Sequence, residues 1–176
     1  MEFERVLRTF TEFFDREGIR YVVIGGLAVH AYGRLRPTKD ADFGVDLDNQ
    51  RRVIAFAESI GYETLNDTRA FSNHAHSDPA MGRVDFMYFD EATATKIFAE
   101  ASEKPIIDGV TASVAAPGHL AMMKALSMKN FPHRALYEGD DVRVLLQAPG
   151  VNVEEVREYY ERQGLLGLFD VIRKAR

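Results

Sequence analysis

The 176-residue chain has no cysteine. That excludes a disulfide framework and any thiolate metal site, and a cytoplasmic setting is the expectation. Long apolar runs are also missing. None approaches the ~20 residues that a membrane span requires, so no membrane role is expected. The opening stretch "MEFERVLRTF" carries acids among its apolar residues and lacks a signal-peptide core. An excess of positive charge is missing as well: 27 acids outnumber 22 lysines and arginines, for a net charge of −5 at pH 7. A dedicated nucleic-acid binder draws most of its affinity from phosphate contacts and is disfavoured by that balance, with a local basic patch left open where Arg34, Arg36 and Lys39 crowd one loop. There is no repeat, low-complexity tract or obvious linker.

What is present is an ordinary globular composition, 46% hydrophobic and 28% charged, in a chain long enough for one domain with a real core. Phe3, Val6, Leu7, Phe10, Phe13 and Phe14 recur at helical spacing and predict an amphipathic helix over 2–17, stopped by Gly18. "IRYVVI" predicts a buried strand, and "LAVHAY" after Gly25-Gly26 a short helix ended near Gly33. "KDADFGVD" has the alternation of a strand. Residues 49–60 read as a helix closed by Gly61, with Asp48 or Asn49 at its N-cap and Arg51 and Arg52 on a solvated face. "GRVDFMYF" predicts a third strand, Val84 and Phe86 on one face and Asp85 and Met87 on the other. A helix over 90–103 and a hairpin in "IIDGVTASV" follow. From Pro117 the pattern is helical only, over 117–129, 135–147, 152–163 and a short terminal segment. The expected fold class is α/β (α+β), with a core over 1–116 and a helical tail over 117–176 packed on it.

Asp40 and Asp42 stand at i and i+2 of a strand, so both project from one face, ~6–7 Å apart, while Ala41 and Phe43 point into the core. Two carboxylates on one face repel unless a cation or proton lies between them. Oxygen ligands at this spacing suit Mg²⁺, which takes one or two carboxylates plus substrate phosphates. Asp85 would supply a third ligand from a neighbouring strand. The alternative is a set of solvent-facing residues on half-exposed strands. A calcium loop fails in "DADFGVDLD", where the glycine is fifth and the twelfth residue is Arg51. Asp46 and Asp48 read as solvated. Gly25-Gly26 either makes a tight strand-to-helix turn or lets phosphates approach a helix N-terminus. His74 and His76 lack a third ligand for zinc and read as a polar loop or strand edge. His30 reads as a packed histidine, and Met122, Met123 and Met128 as core fillers.

The order of strand, Gly25-Gly26, short helix, basic loop "RPTKDAD" and a later strand bearing Asp85 resembles the nucleotidyltransferase superfamily of DNA polymerase beta-like fold. "GGLAVHAYGRLRPTKDAD" with "PGHLAMMK" and "DDVRVLL" is more specifically similar to the AbiEii/AbiGii-type toxin nucleotidyltransferases, over residues 20–146. Ala41 replaces a usual bulky aliphatic, and Glu138 stands where an Asp is usual. The resemblance implies a mixed, mostly antiparallel sheet flanked by helices and an enzyme transferring a nucleoside monophosphate from an NTP, ATP among them, to a hydroxyl of RNA or protein. It implies two Mg²⁺ or Mn²⁺ ions on Asp40, Asp42 and Asp85, and phosphates near Gly25, Gly26, Arg36, Thr38 and Lys39. It also implies that Lys124 and Asp141 join the site, so that Lys124→Ala lowers turnover with the melting temperature nearly unchanged. A lysine stem snorkelling to solvent is the alternative for Lys124. A cognate antitoxin would be a partner. Two other readings compete: a small-molecule, antibiotic-type nucleotidyltransferase, which the acidic charge favours, and a catalytically silent binding member of a toxin–antitoxin pair.

Overall fold

The computed structural model describes residues 1–175. The chain divides into two compact units, Met1–Ala31 with Arg36–Ala115, and Tyr32–Leu35 with the chain from Ala116 onward. Among the described residues no helix is long and apolar enough to cross a membrane.

The first unit opens with helix α1 (Phe3–Glu17), which ends at Gly18 in the left-handed region, φ 63°. Its apolar stripe, Val6, Leu7, Phe10, Phe13 and Phe14, is buried, as the helical spacing predicts. Strand β1 (Tyr21–Ile24) and helix α2 (Gly25–His30) follow, then β2 (Asp40–Asp46), a short 3-10 turn and α3 (Gln50–Ser59). Asn49 precedes α3 but makes no side-chain cap bond to it. Asp46 is not simply solvated: Arg20 donates to both of its oxygens, at 3.2 and 2.9 Å. The remaining elements are β3 (Tyr62–Asp67), β4 (Phe71–His76), β5 (Arg83–Phe89), α4 (Glu91–Ala99), β6 (Ser102–Ile107) and β7 (Val110–Val114).

The seven strands form one sheet in the order β3-β4-β5-β2-β1-β7-β6. β1–β7 and β2–β5 pair in parallel and the other four pairs are antiparallel, so the sheet is mixed and mostly antiparallel. Period-2 alternation divides its two faces. Ala41, Phe43, Val84 and Phe86 are buried on one face, where Phe10 packs against Phe43 (5.7 Å between ring centroids), Phe86 (5.5 Å) and Tyr62 (5.7 Å). That aromatic core fixes the register of β2 against β5, because a one-residue slip would turn Phe43 or Phe86 out and a carboxylate in. Asp40, Asp42 and Asp85 therefore share the opposite face.

The sequence reading counts "GRVDFMYF" as the third strand; it is the fifth, because β3 and β4 form a hairpin, of which the reading names only a polar loop or strand edge at His74 and His76. His74 lies on strand β4. It is fully buried, with Nε2 2.8 Å from Ser72 Oγ and Nδ1 3.2 Å from Thr64 Oγ1. Ser72 Oγ lies 2.7 Å from Tyr88 OH, and Thr64 Oγ1 donates to Glu58 Oε1 at 2.7 Å. One set of proton positions satisfies the whole row: Tyr88 donates to Ser72, Ser72 to His74, His74 to Thr64 and Thr64 to Glu58. It requires a neutral imidazole with its proton on Nδ1.

Burial holds the His74 pKa below its ordinary 6.5. Below pH 6.5 the unfolded chain takes up a proton that the folded chain refuses. Stability is thus present in full above pH ~6.5 and falls as pH drops below it, by at most about 1.4 kcal/mol per pH unit. Urea midpoints of wild type and His74→Gln across pH 7.5 to 5.5 check this. The wild-type midpoint should fall more steeply, and parallel curves would contradict it.

The second unit is helical: α5 (Pro117–Asn130), α6 (Ala135–Leu145), α7 (Val153–Arg162) and α8 (Leu166–Lys174). Leu120, Met128, Val142, Leu145, Val156, Phe169 and Ile172 make its core, with Tyr160 donating to the Ala121 carbonyl at 3.1 Å. Met122 and Met123 are only half-buried.

Candidate active site

Parallel pairing of β2 and β5 places Asp42 directly opposite Asp85, and Asp40 opposite Arg83. Each of Asp40, Asp42 and Asp85 offers a carboxylate oxygen, all within 4.8 Å of one another, and all three residues are half-buried. Oxygens this close, from three acids on one sheet face, form the donor set that a hard divalent cation takes. The spacing argument thus holds for all three acids, two from one strand and one from its parallel neighbour.

The glycines sit against these carboxylates. Gly25 has φ +64°, and a Cβ there would fall 1.9 Å from Asp42 Oδ2. Only glycine meets both demands. A Cβ on Gly26 would lie 2.6 Å from Thr38 Oγ1 and 3.3 Å from Arg36 Nη2. The missing side chains therefore make room for a carboxylate and for the loop before it, a role that the sequence reading did not give them. α2 begins at the glycines themselves and spans six residues. With so few aligned peptides the helix contributes little dipole, and the open backbone is the feature that counts.

Thr38 Oγ1 donates to Asp40 Oδ1 at 3.2 Å and lies 3.3 Å from the Asp40 carbonyl. It therefore touches a carboxylate as well as the glycine turn. Arg36 is half-buried and its Nη1 donates to the Pro37 carbonyl at 3.1 Å; Lys39 is exposed. His30 holds the loop from the helix side, its Nε2 2.6 Å from the Arg36 carbonyl oxygen. The structure thus sets Gly25 against Asp42 and Thr38 against Asp40, with Thr38 and Arg36 both beside Gly26. Thr38→Val keeps the shape and removes the hydroxyl that orients Asp40. It is expected to weaken Mn²⁺ binding about 10- to 100-fold, as loss of an outer-shell partner does, with little change in melting temperature. Titration of the Mn²⁺ electron spin resonance signal checks it; equal affinities would make Thr38 a loop residue only.

Lys124 and Asp141 lie in the helical unit, where the structure brings them to each other. Lys124 is 7% exposed, its Nζ 3.0 Å from Asp141 Oδ2 and 3.5 Å from Glu138 Oε1. Its stem does not snorkel to solvent. Asp141 is fully buried and its Oδ1 lies 3.0 Å from Arg34 Nε, while Arg34 Nη1 reaches Asp140 at 3.2 Å. Glu138 Oε1 forms an ion pair with Arg134 Nη2 at 2.7 Å and accepts from Ser127 Oγ at 3.2 Å. Arg34, which the sequence groups with Arg36 and Lys39 as a basic loop, is thus engaged in this network. Glu138 is the residue that sequence reasoning passed over as a departure from a motif. Its signal was the i,i+3 spacing to Asp141, which turns both acids to one helix face.

No family model matches the chain, and no curated protein does. Solved structures do. The lincosamide antibiotic adenylyltransferase LnuA, lincomycin-bound, aligns with a TM-score of 0.60 at 16% identity over 82% of this chain and 96% of its own. ANT(2")-Ia in complex with adenylyl-2"-tobramycin aligns with a TM-score of 0.69 at 14% identity, over 91% of this chain and 95% of its own. An antigenic nucleotidyltransferase-like protein from Paracoccidioides brasiliensis gives 0.59 at 15%, over 96% and 92%. Likeness at such low identity concerns architecture, and on that architecture the chain has the nucleotidyltransferase fold.

Proposed function

We propose that the chain is a metal-dependent nucleotidyltransferase that moves a nucleoside monophosphate from an NTP to an acceptor hydroxyl and releases pyrophosphate. The observation that carries this reading is the convergence of Asp40, Asp42 and Asp85, with oxygens within 4.8 Å, beside a glycine pair on the fold of nucleotidyltransferases. The three carboxylates would hold two Mg²⁺ or Mn²⁺ ions, which when bound neutralise the triphosphate and lower the pKa of the acceptor hydroxyl.

The chain's own groups do the rest. Gly25 and Gly26 leave backbone open to the β- and γ-phosphates. Arg36 and Lys39 screen phosphate charge, and Thr38 fixes the Asp40 carboxylate. Asp85 sits at the nucleophile side, where it orients the acceptor hydroxyl or takes its proton. The acceptor oxygen then bonds to the α-phosphorus as the bond to pyrophosphate breaks. By the resemblance of their helical motifs, Lys124 would stabilise charge on the leaving pyrophosphate and Asp141 would orient the triphosphate or the acceptor. Their 3.0 Å ion pair makes each dependent on the other.

The AbiEii-type reading makes RNA or protein the acceptor and a cognate antitoxin a partner. A small-molecule acceptor is the second reading, favoured by the net charge of −5 and by the antibiotics named for two structural neighbours. Incubation with the four α-labelled NTPs and cell RNA, protein extract or aminoglycosides tests the proposal. Label transfer with matching pyrophosphate release is expected. A folded protein that transfers nothing to any of them contradicts it.

A further inference from the structure

The sheet face that carries the aspartates does not end at Asp85. Strand pairing continues it sideways as a single row: Asp42 on β2, Asp85 on β5, Asn73 on β4 and Asn66 on β3. Neighbouring strands are ~4.8 Å apart, so Asn73 flanks Asp85 directly and Asn66 is one strand further. Asn66 Nδ2 reaches Asn73 Oδ1 at 3.4 Å, which makes the two carboxamides a short ladder. Phe71 stands two residues before Asn73 on the same face and is 43% exposed. Asn73 itself is half-buried.

The other flank of Asp42 differs. There the row ends at Ile24 on β1, followed at once by Gly25 and Gly26. The two sides of the carboxylate cluster thus have distinct chemistry, bare backbone on one and carboxamides on the other. Phosphoryl transfer needs the attacking and leaving oxygens roughly in line. With the leaving pyrophosphate on the glycine side, the attacking hydroxyl must arrive from the side of Asp85 and Asn73.

We infer that this flank is the acceptor subsite, that Asn73 is its principal binding residue, and that the acceptor it takes is a sugar hydroxyl. This rests on the nucleotidyl-transfer reading above. A carboxamide offers both donors and an acceptor, and so matches neighbouring hydroxyls, which also do both. Phe71 adds an exposed aromatic face for the apolar side of a sugar ring. A phosphate-rich strand lying along this flank would call for a line of cations, whereas in this row and the next, Glu63–Ala75–Arg83–Asp40, Arg83 is the single one, so the flank suits a terminal sugar and not a strand's phosphates. A lone protein hydroxyl would use neither the ladder nor the ring. The same sugar chemistry comes from a glycoside or from the terminal ribose of an RNA.

Transfer from the α-labelled NTPs in Mg²⁺ tests the inference with three probes. These are an aminoglycoside, a short RNA ending in a 2′,3′-diol (its 3′-phosphate counterpart as control) and a peptide bearing Ser, Thr and Tyr. Label should enter a sugar probe, and which of the two it enters identifies the source. Asn73→Leu should raise the acceptor KM at least tenfold while the NTP KM stays within twofold. Should Asn73→Leu fail to fold, Asn73→Thr, which suits a strand and keeps one donor, is expected to raise the acceptor KM by a smaller factor. Label on the peptide alone overturns the inference, as does a wild-type acceptor KM in the folded variants. So does a wild-type protein that binds Mn²⁺ and NTP yet labels none of the probes. A separate titration of Mn²⁺ and NTP reports whether the underlying nucleotidyl-transfer reading has failed instead.

Discussion

Asp42→Asn is expected to reduce nucleotidyl transfer by about a thousandfold or more and to leave the melting temperature unchanged or slightly raised. Asp42 is central to the cluster, opposite Asp85 on the next strand and two residues from Asp40, and an asparagine offers one weak oxygen in place of a carboxylate. Charge stabilisation by a bound divalent ion is worth several kcal/mol in the transition state, and ~4 kcal/mol is a factor of about a thousand in rate. Stability moves the other way. In the metal-free protein three carboxylates with oxygens within 4.8 Å repel one another, and a neutral amide of the same size relieves part of that. Single-turnover transfer rates and thermal melts of wild type and variant, with and without Mg²⁺, check both halves. A variant that lost activity only because it melted earlier would count against a catalytic role.

Lys124→Met should lower the melting temperature by roughly 6–12 °C. The sequence reading expected Lys124→Ala to leave the melting temperature nearly unchanged, because it placed the lysine at the triphosphate. In the structure Lys124 is 7% exposed and lies against two acids, Glu138 and Asp141, that are 1% and 0% exposed. Removing one partner of a buried pair leaves uncompensated charge and costs about 3–5 kcal/mol. Arg134 and Arg34 still reach Glu138 and Asp141, which puts the expected cost near the low end, ~3 kcal/mol. At about 2–4 °C per kcal/mol for a chain of this size, the shift follows. Lys124→Met combined with Asp141→Asn should cost less than the sum of the two single changes, because the second removes a charge that the first strands. Thermal melts of the three variants decide it, and strict additivity would mean that the pair is not coupled. Turnover must then be compared at temperatures where each variant is folded.

The parts of the fold that were legible in the sequence are those where one side chain in two, or one in three and four, is apolar. Helix α1 and strands β2 and β5 belong here, and so does the sharing of a face by Asp40, Asp42 and Asp85; β1 was legible as a continuous apolar run instead. The hairpin of β3 and β4 was not legible, because the inward positions of β4 hold Ser72 and His74 in place of apolar residues. Those polar groups are tolerated in the core only through the hydrogen-bonded row from Tyr88 to Glu58, a tertiary feature with no local pattern. Asn73 was missed for the same reason, since its neighbour Asp85 is set by strand pairing. The glycines were found but half explained: their need for space against Asp42 and Thr38 is visible only once β2 is placed beside β1. Arg34 shows the converse error, a charge grouped by sequence proximity with Arg36 and Lys39 but paired with Asp140 and Asp141.

The most direct measurement is anomalous diffraction at the manganese edge from crystals grown with Mn²⁺ and a non-hydrolysable NTP. The expected result is manganese bound by oxygens of Asp40, Asp42 and Asp85, with the triphosphate on the side of Gly25 and Gly26. Manganese elsewhere in the molecule, or a nucleotide bound away from these three carboxylates, would contradict the proposed active site.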